Sequence, residues 1–135
     1  MEITLPAIIE NVEKVTAFVN TELEKAKCSV KTKAEIDMAI DEVFSNIANY
    51  AYDLVTGKAT IQIEMQDNPQ AIVIKFIDEG KPFDPLKKKD PDVSLSAEKR
   101  EIGGLGIFMV KKSMDDIKYE YKDNKNILTI KKFIK

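Results

Sequence analysis

The sequence predicts an α+β two-layer sandwich, a mostly antiparallel mixed sheet covered on one face by three helices. Three observations carry this. Apolar residues recur at helical spacing in three separate stretches. They alternate with polar residues in the segments between. The alternating segments come as hairpin pairs around residues 67–70 and 123–125, so the helices must cover the face the strands leave apolar.

The elements follow in order. Ile3 and Leu5 alternate as a short strand that Pro6 ends. Ile8, Val12, Val15, Val19, Leu23 and Ala26 form one stripe of a first helix. Thr32-Lys33-Ala34-Glu35 reads as a capping box opening a second helix, with Ile36, Ile40, Val43, Ile47 and Ala51 on one face. Gly57 closes that region. Ala59, Ile61, Ile63 and Met65 alternate with polar residues as a half-buried strand. Asp67-Asn68-Pro69-Gln70 is a turn. Residues 71–77 are apolar on both parities except Lys75, which reads as a central strand. Residues 78–102 are charged and broken by proline, too long for an ordinary connection, and read as a lid or binding element. Leu105, Phe108, Met109 and Lys112 restore helical spacing. Ile117, Tyr119 and Tyr121, a turn at 123–125, then Leu128, Ile130 and Ile134 make a C-terminal hairpin.

The chain has 135 residues, 44% of them hydrophobic, enough for one core and one domain over residues 1–135. A net charge of -2 gives no global attraction to nucleic acid or to an anionic membrane. No apolar run approaches the ~20 residues of a membrane span, and the first residues lack the pattern of a signal peptide. Cys28 has no internal partner for a disulfide. A cytoplasmic setting is the expectation. Histidine is absent, which excludes a Ser-His-Asp triad, a His-built zinc site and a phosphohistidine carrier. Acid–base chemistry falls to carboxylates, Lys or Tyr.

Three stretches carry chemistry. Glu42 and Asn46 are four residues apart on one helix face, and Tyr50 continues the stripe. An amide oxygen is a hard ligand suited to magnesium, and a carboxylate one turn away can orient a water or take a hydroxyl proton. Asp78 ends the buried strand, where a carboxylate can accept from the exocyclic amine of adenine, and Gly80 lets the backbone pass close to a flat ring. Gly103-Gly104-Leu105-Gly106 opens a helix, where exposed N–H groups and the helix N-terminus suit a triphosphate. It is neither a Walker A loop nor a Rossmann fingerprint. Each stretch alone also has an ordinary reading: a solvated helix face, a turn, a flexible helix entry.

Taken together and in this order, they resemble the histidine-kinase-like ATP-binding superfamily over nearly the whole chain. Glu42-Val43-Phe44-Ser45-Asn46-Ile47-Ala48-Asn49-Tyr50-Ala51-Tyr52 resembles its N-box. Asp78-Glu79-Gly80-Lys81-Pro82-Phe83-Asp84-Pro85 is similar to its G1 box, and Gly103-Gly104-Leu105-Gly106-Ile107-Phe108-Met109-Val110 to its G2 box. The Pro-Phe-Asp-Pro ending and the Met114-Asp115-Asp116-Ile117 stretch are closest to the bacterial anti-sigma-factor serine/threonine kinases.

The resemblance implies a Bergerat-type fold and Mg-ATP as cofactor. It implies Asn46 as magnesium ligand and Glu42 as general base or water-orienting group, with Asn49 and Tyr50 in the same nucleotide-facing stretch. Asp78 would read adenine. Gly80, Pro82, Phe83, Gly103, Gly104, Leu105 and Gly106 would shape the pocket, residues 87–102 would form the lid, Arg100 would contact phosphate and Thr129 would line the adenine pocket. The family often has histidine where this chain has Tyr50. The implied partners are a small STAS-type anti-anti-sigma protein, phosphorylated on a hydroxyl, and a sigma factor. No direct nucleic-acid or membrane contact is expected, and the resemblance leaves room for a homodimer. The alternatives are a partner-switching module that binds ATP without phosphotransfer, and a regulator in a phosphatase-linked switch.

Overall fold

The computed structural model describes residues 1–52, 56–87 and 105–134. Its strands are β1 (Glu2–Pro6), β2 (Lys58–Gln66), β3 (Ala71–Asp78), β4 (Asp116–Lys122) and β5 (Lys125–Phe133). Its helices are α1 (Val12–Ala26), α2 (Val30–Tyr50) and α3 (Leu105–Ser113). The strands form one five-stranded sheet in the order β1-β2-β3-β5-β4. β3 is therefore central, as its nearly continuous apolar run predicts. The sheet is not mixed: all four pairings are antiparallel. Hairpins join β2 to β3 and β4 to β5, and the longer path through α3 brings β5 back antiparallel to β3.

Strand alternation sorts the two faces. Ile61, Ile63, Ile72, Ile74, Phe76, Leu128 and Ile130 point to one side and share a core with Val15, Val19 and Leu23 of α1, Ile36, Ile40, Phe44 and Ile47 of α2, and Val110 of α3. The opposite parity carries Gln62, Glu64, Lys75, Lys118 and Thr129. Fully burying each large aliphatic or aromatic side chain contributes roughly 1.5–3 kcal/mol, so the helical layer and the sheet stabilise each other. Lys132 ties the end of the core together, donating to the Ser113 carbonyl at 2.6 Å and standing 3.4 Å from the Glu35 carboxylate of α2.

Two helix starts differ from the sequence expectation. The first helical stretch opens as a 3-10 turn over Ile9–Asn11, with the Asn11 side chain donating to the Pro6 carbonyl at 2.8 Å. The regular helix begins only at Val12. In the second helix Thr32 is not the cap. Ser29 holds an extended backbone and its Oγ accepts from the Thr32 N–H at 3.1 Å, so the helix starts at Val30. Ser29 reaches the third amide of the helix as well as Thr32 could have reached Glu35, and capping there gives the earlier start three more helical residues. Ser29→Ala is expected to lower stability by roughly 0.5–2 kcal/mol, measured as a shift of the urea midpoint with an unchanged slope.

Candidate functional site

The site is built where the inward parity of the sheet runs out of apolar residues. On β3 the inward series Ile72, Ile74, Phe76 ends in Asp78, and on β5 the series Ile130, Leu128 ends in Asn126. The register sets these two polar residues opposite each other, and both are buried. Asn126 Nδ2 donates to Asp78 Oδ1 at 2.9 Å and to the Lys81 carbonyl at 2.9 Å, with the Gly80 carbonyl farther off at 3.4 Å. Asn126 Oδ1 accepts from the Phe83 N–H at 3.1 Å and from the Tyr119 hydroxyl of β4. The Gly80 N–H also donates to Asp78 Oδ1, at 2.9 Å. Burial pushes the Asp78 carboxyl above its usual range, and the Asn126 and Gly80 donors pull it back.

The turn after β3 is clamped to the end of α2. The Lys81 N–H donates to the Ala51 carbonyl at 3.0 Å. Gly80 lies so close that a Cβ there would stand 2.2 Å from that same carbonyl oxygen, which no side-chain adjustment relieves. The Tyr52 hydroxyl donates to the Lys58 carbonyl at 2.6 Å and accepts from the Glu79 N–H at 2.9 Å.

On α2, one turn apart, stand Glu42 and Asn46. Asn46 Nδ2 donates to Glu42 Oε1 at 3.3 Å. The carboxylate needs a donor, so this orientation leaves Asn46 Oδ1 as the atom suited to a hard cation. Burial raises the Glu42 carboxyl above its usual range, the Asn46 bond lowers it, and nearby Asp41 raises it. The first turn of α3 packs directly on this pair: a Cβ at Gly106 would lie 2.0 Å from Glu42 Cδ. Glycine at 106 is thus what lets the positive end of α3 approach a carboxylate.

Asp78 and Asn46 line one pocket, which opens to solvent. Its walls are Val43, Ile47, Ala51, Phe76, Ile107 and Leu128, with Asp78, Asn46 and Asn126 as polar groups and Lys81, Phe83, Pro85 and Tyr119 completing it. An apolar slot with a few convergent polar atoms suits a flat, partly polar ligand.

The structure brings together Glu42, Asn46, Asp78, Gly80, Phe83 and Gly106 from the sequence-predicted set. Pro82 is exposed and lies outside the walls. Asn49 is exposed and is not among the walls. Tyr50 is 54% exposed and does not reach the walls either. Thr129 is a correction. It pairs with Lys75 and Lys118 on the outward parity, lining a groove on the other side of the sheet, because its neighbours Leu128 and Ile130 take the inward positions. Arg100, Gly103 and Gly104, and the proposed lid beyond Lys87, lie outside the described residues; Leu105 is the first residue of α3. Sequence reasoning missed Asn126, Tyr119, Lys81 and the Tyr52 clip. Asn126 had a signal, since it continues the parity of Leu128 and Ile130 toward the turn.

Comparison with known proteins agrees with this fold. A serine-protein kinase RsbW from Listeria monocytogenes is 26% identical over 132 residues, spanning 94% of this chain and 83% of the relative. An RsbW from Bacillus thuringiensis is 30% identical over 101 residues, 72% of this chain and 62% of the relative. An anti-sigma F factor from Caldanaerobacter subterraneus is 28% identical over 100 residues, 74% and 68% of the two chains. Among solved structures, the RsbU and RsbW domains of a Mycobacterium tuberculosis protein superpose with a TM-score of 0.68 at 18% identity, covering 99% of this chain and 32% of that one. This chain thus corresponds to about a third of the length of that solved chain. Among the described residues no helix is long and apolar enough to cross a membrane. The family model of the histidine kinase-like ATPase domain matches residues 5–132, and the chain belongs to that family.

Proposed function

We propose that this chain is a cytoplasmic serine/threonine protein kinase that binds Mg-ATP, phosphorylates a small STAS-type anti-anti-sigma protein and thereby controls a sigma factor. The observation that carries the reading is the Glu42 carboxylate, pressed against the Gly106 start of α3 and bonded to Asn46, which lines the same pocket as Asp78. Relatives named serine-protein kinase and anti-sigma F factor support the same reaction and partners.

The residues fit the ligand. The apolar walls suit a purine ring, and Asp78 suits its amine edge. Asn46 Oδ1 would hold magnesium, whose remaining ligands would be waters and phosphate oxygens, as is usual for this cation. Magnesium supplies charge neutralisation on the phosphates. Among the described residues no group of three or more acidic or thiol side chains could hold a metal alone, which is consistent with a site completed by the nucleotide. Glu42 then accepts the proton of the attacking hydroxyl. Before magnesium binds, burial raises its pKa, the direction that favours taking a proton. Phosphoryl transfer asks for little more than positioning and charge stabilisation.

The test is transfer of label from ATP to a purified anti-anti-sigma protein, with mapping of the modified residue. A partner that binds but is never labelled would leave a nucleotide-dependent binding module instead. Asn46→Ala is expected to abolish the magnesium dependence of ATP binding, while binding without magnesium stays near wild type. Calorimetric titration with and without magnesium checks this, and an unchanged magnesium effect would remove Asn46 as the ligand.

A further inference from the structure

Asn126 is buried beside the pocket, yet all of its hydrogen-bonding groups are engaged within the protein. An asparagine side chain has two N–H donors and one oxygen with two lone pairs. Here the oxygen faces two donors, the Phe83 N–H and the Tyr119 hydroxyl. The nitrogen faces acceptors only: Asp78 Oδ1, the Lys81 carbonyl and, farther off, the Gly80 carbonyl. The neighbours therefore settle which way the amide points. Asn126 forms part of the pocket wall, but its polar atoms are spent on holding Asp78 and the turn after β3.

We propose that Asn126 sets the purine selectivity of the site: by donating to Asp78 Oδ1 it keeps that carboxylate a pure acceptor, which takes the amine of adenine and refuses the carbonyl of guanine. This rests on the reading that Asp78 faces the purine edge. Adenine presents an N6 donor there and guanine an O6 acceptor. An ionised carboxylate only accepts, whereas a protonated one carries an O–H that can donate to O6. Burial drives Asp78 toward the protonated form, and two donors oppose it, the Gly80 N–H and Asn126. The first belongs to the backbone, so Asn126 is the side chain on which the balance depends.

The other groups around Asp78 do not substitute for it. The Tyr119 and Tyr52 hydroxyls are raised by burial and stay neutral. Glu79 adjoins Asp78, and Asp84 stands in the same turn, both adding negative charge. Lys81 lines the pocket, and Lys58 of β2 and Lys125 of β5 rim the reverse side of Asp78. From α2 and α3 the walls are Val43, Asn46, Ile47 and Ile107, none of them titratable.

Competition binding of ATP and GTP between pH 8 and 5.5 tests the proposal on wild type, Asn126→Ala, Asn126→Ser, Tyr119→Phe and Asp78→Asn. Wild type should keep its preference for ATP across the range. Asn126→Ala should prefer ATP at pH 8 and lose at least about tenfold of that preference by pH 5.5, the size of one hydrogen bond to a charged group. Asn126→Ser keeps a donor and should hold more of it. Asp78→Asn, always neutral, should show a ratio independent of pH. If Asn126→Ala weakens both nucleotides equally, with the wild-type ratio at every pH, Asn126 is merely structural and the proposal is overturned. Should that variant not fold, Tyr119→Phe removes one of the two bonds that orient the amide, and the same drift in ratio must appear in it; its absence also overturns the proposal. A wild type that binds both nucleotides equally overturns the reading of Asp78 itself, a result distinct from a preference that survives in the Asn126 variants.

Discussion

Glu42→Gln is expected to bind Mg-ATP nearly as the wild type does and to transfer phosphate about 10²–10⁴ times more slowly, the usual loss when general-base help is removed. The substitution keeps size and can still accept from Asn46 Nδ2, so the pair on α2 is preserved while the basicity is not. Gly106→Ala gives an independent version of the same test. Its Cβ would collide with the end of the Glu42 side chain, which is flexible and can swing aside, so the fold should survive while the carboxylate leaves its place. Neither variant should melt appreciably below wild type, and both should show a slow chemical step in single-turnover labelling of the cognate partner. If both retain full activity, the base lies elsewhere. If Glu42→Gln alone is slow, Gly106 does not position the carboxylate.

Asp78→Asn should change binding and stability in opposite directions. In the ligand-bound state the new amide presents a donor to the adenine amine, and the lost hydrogen bond to a charged group costs roughly 1.5–3 kcal/mol. Affinity for ATP should fall by about one to two orders of magnitude, with that for GTP held or improved. In the free protein the effect reverses. The folded carboxyl has a raised pKa, so it binds its proton more tightly than the unfolded chain does. Its relative stabilisation is present below the unfolded pKa and is lost as pH rises through the folded one. At neutral pH the wild type carries a buried charge that asparagine does not, while the asparagine oxygen still accepts from the Gly80 and Asn126 donors. The variant should therefore melt higher than wild type at pH 7, and the difference should shrink toward acid pH. A variant that melts lower at pH 7 would mean that the carboxylate is a net stabiliser of the fold.

Much of this architecture was legible because it rests on periodicity. The alternation in β2, the apolar run of β3 and the helical stripe from Ile36 to Ala51 each record which side meets the core, and Asp78 stands out as a carboxylate at the end of a buried run. What was missed depends on registers that periodicity does not specify. Thr129 was expected in the pocket and Asn126 was not, although the two lie on the same strand. They differ in parity, and a step of one residue moves a side chain to the other face of a sheet. The turn at 123–125 made Asn126 look like part of a polar loop; only its pairing with Asp78 reveals it as an inward position. The start of α2 was misplaced for a similar reason, since Ser29 and Thr32 are both good caps and the choice depends on which turn of helix the core supports.

The clamp between α2 and the exit of β3 has a consequence for ligand choice. Gly80 lies against the Ala51 carbonyl, Lys81 bonds to it, and Tyr52 bridges Lys58 and Glu79. Asn46 stands about a turn and a half before Ala51, the C-cap of the same helix. The two ends of the pocket are therefore joined through backbone contacts and cannot slide apart or together to suit a guest. On the proposed function, the site would work as a rigid gauge, admitting a nucleotide only if one molecule can meet Asp78 and Asn46 together.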